Sequence, residues 1–301
     1  MEGDFGSKES ATPLCHEHTL ARRVGFVLRG VPATVKPVTT GVIARASPNM
    51  AQPTTLIAIP VYNEEKYVCR VLAHALEYAD DVLVIDDGSS DRTTTLLPKF
   101  PVDVIRHAVN RGYGRSMRDA FDWARLNRYD WVITMDCDEQ HEPTAIPTFV
   151  QAARENRWDV ISGSRYMSRD DEVDSPPADR RNINQIITRE INERLGLSLT
   201  DSFCGFKAYR VEALRLLKLS ENGYAFPMQF WVQAAAAGLR TTEIPVKLIY
   251  NDPNRTFGGP LNDADTRLRH YRQVLHCELE RCADRLPPDA LRDIDAGCRC
   301  G

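Results

Sequence analysis

Through residues 1–52 no hydrophobic period is sustained; Gly, Ser, Thr and Pro recur, and Ala46-Ser47-Pro48-Asn49 before Met50 reads as a linker. From Thr54 onward, short apolar runs alternate with amphipathic stretches, which is how a sheet with crossover helices is written. The runs predict strands over 56–61, 82–85, 102–105 and 131–135. Between them the spacing predicts a helix over 64–78, one opened by Ser90 or Asp91, and one over 114–126. Further along come a helix over 143–156, a short strand at Val160-Ile161 and a charged, Pro-containing loop over 168–180. A helix over 181–195, a turn over 201–205, and helices over 211–217 and 226–237 follow. A late strand over 240–246 leads through a second loop, 251–262, into a polar amphipathic helix ending near Arg285. Repeated β-α-β units predict an α/β fold with a Rossmann-like, mainly parallel sheet flanked by helices. The expected organisation is a flexible segment (1–52), one catalytic domain (53–285) and a tail (286–301).

A hydrophobic content of 43% and a charged content of 27% fit a soluble enzyme and exclude a fibrous or disordered chain. The net charge of -4, with both signs interspersed, gives no field to attract nucleic acid or an anionic membrane. Any bound phosphate must therefore be held locally. No run reaches the roughly 18 apolar residues of a spanning helix, and no secretory signal is recognisable, so a cytoplasmic location is expected. Among the 8 cysteines, Cys69, Cys137 and Cys204 fall inside apparent elements, and reduced thiols are expected. Cys298 with Cys300, and Cys15 with His16 and His18, are ligand types without a second cluster to complete a metal site. His74, His107, His270 and His276 read as surface or packing residues.

Ligands of open parallel sheets sit at the carboxyl ends of strands, and three predicted strands end in polar clusters. These are Pro60-Val61-Tyr62-Asn63-Glu64-Glu65, Asp86-Asp87-Gly88-Ser89-Ser90-Asp91, and Asp136-Cys137-Asp138-Glu139-Gln140-His141. In an extended chain Asp136, Asp138 and Gln140 point the same way, so three oxygens face one hard cation such as Mg2+ or Mn2+. Such an ion neutralises charge on a departing diphosphate. Asp86, between a buried strand and a turn, is the candidate for a base or ribose contact, with Glu64 in a similar role and Pro60 and Tyr62 walling a planar base. Asp87-Gly88-Ser89 and Asp91 also suit ordinary turn and capping chemistry.

These clusters resemble the nucleotide-binding and D-x-D motifs of family 2 glycosyltransferases. The Gln-His-Pro pattern at Gln140, His141 and Pro143, together with Gly163-Ser164-Arg165-Tyr166 and Asp201-Ser202-Phe203-Cys204-Gly205-Phe206-Lys207, resembles the dolichyl-phosphate mannose synthase branch. The resemblance spans about residues 54–271. It implies a GT-A fold, a nucleotide-diphosphate sugar of the GDP-mannose or UDP-glucose type, a divalent metal (Mg2+ or Mn2+) and a polyprenyl-phosphate acceptor. It further implies that Pro60, Tyr62, Glu64 and Asp86 contact base and ribose, that Asp136, Asp138 and Gln140 hold the metal, and that Arg165 and Arg255 clamp phosphates. Asn110, Gly112 and Gly114 match the family's turn before its third helix. Gly258-Gly259-Pro260-Leu261-Asn262 replaces the family's late Ser-Lys, so the departure from the pattern lies on the acceptor side. Many relatives carry hydrophobic C-terminal spans and others borrow a membrane partner; the expectation here is a membrane-protein partner or peripheral contact at the cytoplasmic face.

A phosphate acceptor is already anionic and needs positioning more than a base. The Glu-Asp and Gln-x-x-Arg-Trp signatures of base-dependent polysaccharide synthases are not found, which favours such an acceptor and an inverting, in-line displacement. Asp138, Arg165 and Asp201 are the catalytic candidates, Asp201 serving as base or acceptor positioner for a hydroxyl acceptor. The alternatives are the same donor chemistry on a hydroxyl in glycan or glycolipid synthesis, or a non-catalytic nucleotide-sugar binder. A sugar-1-phosphate nucleotidyltransferase would want a Gly-rich basic loop where Tyr62-Asn63-Glu64-Glu65 stands.

Overall fold

Along the first strand, alternate side chains leave the backbone in opposite directions, and here both directions are apolar. Leu56 and Ala58 enter one buried cluster, while Ile57, Ile59 and Val61 enter another. A strand buried on both faces requires helices on both sides, and the chain supplies them. The computed structural model describes residues 52–139, 142–167, 177–249 and 259–294.

In chain order the elements are β1 (Thr55–Val61), α1 (Val68–Tyr78), β2 (Val82–Asp86), α2 (Thr93–Leu96), β3 (Asp103–Arg106), α3 (Tyr113–Leu126) and β4 (Trp131–Thr134). Then follow α4 (Ile146–Arg154), β5 (Val160–Ser164), α5 (Ala178–Leu195), β6 (Lys207–Arg210), α6 (Val211–Leu214), α7 (Phe226–Ala236), β7 (Thr241–Pro245) and α8 (Ala264–Arg281). The seven-stranded sheet runs β3-β2-β1-β4-β6-β5-β7. All neighbours pair in parallel except β6, which is antiparallel to both β4 and β5. The mainly parallel GT-A-type architecture expected from the sequence is therefore present.

One face is covered by α3, α5, α7 and α8 through residues such as Met117, Ile187, Phe230 and Leu275. The other is covered by α1 and α4 through Val71, Leu72, Ile146 and Phe149. Each fully buried aliphatic or aromatic side chain contributes about 1.5–3 kcal/mol. After β1 the chain builds outward through β2 and β3, then returns to place β4 on the opposite side of β1. That reversal opens a crevice at the carboxyl ends of β1 and β4.

Two differences from the sequence expectation bear on the site. The first helix begins at Val68 rather than near residue 64, because 62–67 is held by the loop after β2 instead of winding. Glu64 N–H donates to Thr93 Oγ1 (2.9 Å) and Glu65 N–H to Asp91 Oδ2 (3.0 Å). The sequence pattern does not predict strand β6: in Lys207-Ala208-Tyr209-Arg210 two charged ends bracket Ala208 and Tyr209, too short for a period to register. The expected loop at 168–180 falls largely outside the described residues, although Ala178 already opens α5.

Candidate active site

The strand-end clusters are stitched together by their own polar groups. Asn63 sits at φ 56°, a left-handed conformation that asparagine tolerates, and its Oδ1 accepts from the N–H groups of Ser90 (2.8 Å) and Asp91 (3.3 Å). Asn63 N–H donates to Ser89 Oγ (3.0 Å). Thus the loop ending β1 is fixed to the loop ending β2, and Tyr62 is left 45% exposed at the rim.

A cleft of about 910 Å3 opens at these strand ends. Of the sequence candidates, Pro60, Tyr62, Glu64, Asp136, Asp138 and Arg165 line it, with Asn110 and Gly112 from the turn before α3. Gly114 packs instead against the backbone of Glu221 and Asn222, where a Cβ would have no room. Gln140, His141 and Arg255 lie outside the described residues.

Two candidates stand behind the wall. The Asp86 carboxylate is fully buried, accepting from Ser89 N–H (2.9 Å) and Thr94 Oγ1 (3.4 Å) and pairing with Arg106 Nε (3.4 Å). It organises the loop, and its neighbour Asp87 faces the cleft in its place. Asp201 is likewise fully buried. Its Oδ2 accepts from Arg165 Nε (2.6 Å), and its Oδ1 from an Arg165 Nη (2.9 Å) and Asn184 Nδ2 (2.7 Å). The Phe203 and Arg165 N–H groups complete the set at 3.2 and 3.3 Å. Burial pushes the Asp201 carboxyl upward, but the charge and hydrogen bonds of Arg165 outweigh it and hold it far below the usual carboxylate range. This saturated anion is a poor fit to the base role considered from sequence; it holds the Arg165 fork against the cleft. Burial lowers the Arg165 guanidinium's pKa and Asp201 raises it, the net effect being upward.

Asp136 and Asp138 follow β4 and line one wall together. Antiparallel β6 brings Gly205 against Asp136: a Cβ on Gly205 would collide with both oxygens of that carboxylate. Thr134 Oγ1 donates to Gly205 O (2.7 Å), locking this approach. Among the described residues no group of three His, Cys, Asp or Glu side chains forms a complete metal site. Two carboxylates facing a wide cleft nevertheless suit Mg2+ or Mn2+, which take one or two protein carboxylates and complete their shell with water and substrate phosphate. The residues present therefore fit the expected ion, and Asp136 and Asp138 are the side chains that would hold it.

The cleft is lined as well by Tyr166, Arg180, Asn184, Phe203, Arg267 and Tyr271. Apart from Tyr166 and Phe203 these come from α5 and α8, and no sequence pattern flagged them, because helix positions acquire a cleft only through packing. Lys207, the first residue of β6, is buried and donates to Cys204 O; burial lowers its pKa and raises that of the Cys204 thiol to about 12. His107 and His276, read as bland from sequence, are buried among charges: His107 between Asp87 and Asp119, His276 beside Glu190.

An undecaprenyl-phosphate mannosyltransferase of Micrococcus luteus is 29% identical over 221 residues, spanning 69% of this chain and 90% of that protein. A polyprenol monophosphomannose synthase of Mycolicibacterium smegmatis is 28% identical over 216 residues, spanning 67% of this chain and 81% of that protein. Among solved structures, glucosyl-3-phosphoglycerate synthase from Mycobacterium tuberculosis, in complex with Mn2+, UDP and glucosyl-3-phosphoglycerate, superposes with a TM-score of 0.59 at 18% identity. That likeness covers 79% of this chain and 82% of the other, and it concerns the fold. The family model for glycosyl transferase family 2 matches residues 56–217, more than half of the chain. With strand-end clusters, cleft and fold in agreement, the chain belongs to glycosyl transferase family 2 and is a glycosyltransferase.

Proposed function

We propose that this glycosyltransferase moves a hexose from a nucleotide-diphosphate sugar to a polyprenyl phosphate, with inversion and with Mg2+ or Mn2+ at Asp136 and Asp138. The observation that carries the reading is that one cleft is lined both by acidic residues at the ends of β1, β2 and β4 and by basic and aromatic residues of α5 and α8. Acidic residues accommodate a diphosphate only with a cation between them, whereas the basic and aromatic residues suit an anionic acceptor with an apolar continuation. Names of the relatives, which specify undecaprenyl phosphate and polyprenol, support the acceptor class.

In this reading Pro60, Tyr62 and Glu64 seat the nucleoside, and Arg165, held by Asp201, clamps the diphosphate. The bound ion supplies charge neutralisation of the leaving diphosphate. An acceptor phosphate oxygen attacks the anomeric carbon from the face opposite the departing nucleoside diphosphate; one C–O bond forms as the other breaks. The acceptor is already ionised, so no side chain has to take a proton, in keeping with the inward-turned Asp201. Among the described residues no helix is long and apolar enough to cross a membrane. In this reading the acceptor's lipid lies in a bilayer that the enzyme meets from its cytoplasmic side or through a membrane-protein partner.

A thermal-shift panel of UDP-, GDP- and dTDP-sugars with and without Mn2+ tests the donor half: one base is expected to raise the melting temperature in an ion-dependent way. Transfer to polyprenyl phosphate tests the other half through an acid-labile product. An acid-stable glycoside formed instead would move the acceptor to a hydroxyl, and loss of neither binding nor transfer in Asp138→Ala would refute the metal role.

A further inference from the structure

Immediately after β3, His107 continues the ladder, its N–H donating to Asp86 O (2.9 Å). Its ring is buried and touches carboxylates at both ends. Nδ1 lies 2.6 Å from Asp87 Oδ1 and Nε2 lies 2.8 Å from Asp119 Oδ2. Asp119 also accepts from Arg115 Nε at 2.8 Å. Both ring nitrogens are thus within hydrogen-bonding distance of a carboxylate, one on each side of the ring. Asp87, His107, Asp119 and Arg115 thus form a hydrogen-bonded chain from the cleft wall into α3.

At its cleft end this chain grips backbone. Asp87 Oδ1 accepts from Arg111 N–H and Oδ2 from Gly112 N–H, both at 2.8 Å. Gly112 has φ 99°, and the space of its missing Cβ is filled by Asn222 O. A side chain is thereby excluded, and a turn of this shape gains no rigidity from its own residues. Asn110, Gly112 and Tyr113 all line the cleft.

We propose that His107 is a positioning residue for the donor: by fixing Asp87 it holds the Asn110–Gly112 turn, and with it the part of the cleft wall that seats the nucleotide. The link to the nucleotide rests on the proposed donor site; the link to the turn does not.

Two substitutions separate this role from general stability. Asparagine places an amide nitrogen near the position of Nδ1 and keeps the bond to Asp87; glutamine reaches the position of Nε2 and keeps the bond to Asp119. Each removes one buried hydrogen bond from the same ring, so an unspecific loss of stability falls on both alike. In ligand-free protein, the Arg111 and Gly112 amides of H107Q are expected to exchange with solvent about tenfold faster than wild type, since one charge-assisted bond to their acceptor is lost. In H107N they should stay within about threefold. Calorimetric titration with UDP, GDP and dTDP in Mn2+ should show the preferred nucleotide bound about tenfold more weakly by H107Q, and within about threefold of wild type by H107N. Equal amide acceleration in both variants, or none in either, overturns the positioning role. Faster amide exchange with unchanged nucleotide affinity in H107Q overturns its connection to the donor. If wild type binds none of the three nucleotides, the donor site and that connection fall together, while the amide measurement still decides whether His107 holds the turn.

Discussion

Replacing Asp201 by asparagine separates a positioning anion from a catalytic base. Five hydrogen bonds converge on the carboxylate, three of them from Arg165, and the group is fully buried. In asparagine one oxygen becomes an NH2 that must face either Arg165 Nε, or an Arg165 Nη together with Asn184 Nδ2, so donor meets donor and a guanidinium charge loses its partner. Breaking one side of a buried pair in this way costs about 3–5 kcal/mol. With a urea dependence of about 2–3 kcal/mol per molar, the midpoint should fall by about 1–2.5 M, and the variant stays folded in buffer where the parent stability, about 5–15 kcal/mol for an ordinary domain, exceeds the loss. Urea unfolding followed by far-UV circular dichroism measures this, and calorimetry with the preferred nucleoside diphosphate measures the weakened Arg165 clamp. A base has a different signature: midpoint and nucleotide affinity unchanged, turnover down by about 100-fold or more. That pattern would refute the reasoning and return Asp201 to the reaction.

Gly205→Ala should leave the sheet intact but push the Asp136 carboxylate aside, weakening Mn2+ by about 10–100-fold, as read by the Mn2+ dependence of nucleotide-induced thermal shifts. An unchanged Mn2+ midpoint would show that Asp136 does not hold the ion. Asn63→Ala should lose about 1–2 kcal/mol in urea unfolding, because a left-handed alanine replaces asparagine and two loop N–H groups lose their acceptor, whereas Asn63→Gly should lose less. For Glu190, burial raises the carboxyl, but hydrogen bonds from His276 and Arg272 and the charges of Arg272 and Arg194 outweigh it and lower it from 4.5 to about 2. A carboxyl depressed in the folded state stabilises above its unfolded value and loses that contribution as pH falls toward the folded one. The urea midpoint should therefore decline between pH 4.5 and about 2 by less in Glu190→Gln than in wild type. Equal declines would mean that the α5–α8 ion cluster does not contribute.

The sheet was legible because strands buried on both faces are written as near-continuous apolar runs, and β1, β2 and β4 are such runs with few competing readings. The strand-end rule then pointed to Pro60, Tyr62, Glu64, Asp136 and Asp138 without knowledge of any contact, whereas Arg165 followed only from the family resemblance. What one dimension does not contain is which of two adjacent carboxylates lies against the cleft. Asp86 and Asp87 are identical in type and neighbours in sequence, and only the positive-φ turn at Gly88 and the donors of Ser89, Arg111 and Gly112 sort them. Likewise, reversing β6 set Asp201 behind Arg165 and Gly205 against Asp136, although its four residues have no readable period. The local pattern of hydrophobicity and turn chemistry determined the elements and the end of the sheet that carries chemistry. Tertiary packing decided which side chains reach the cleft and which are held behind it, because burial and hydrogen-bond saturation depend on partners dozens of residues away.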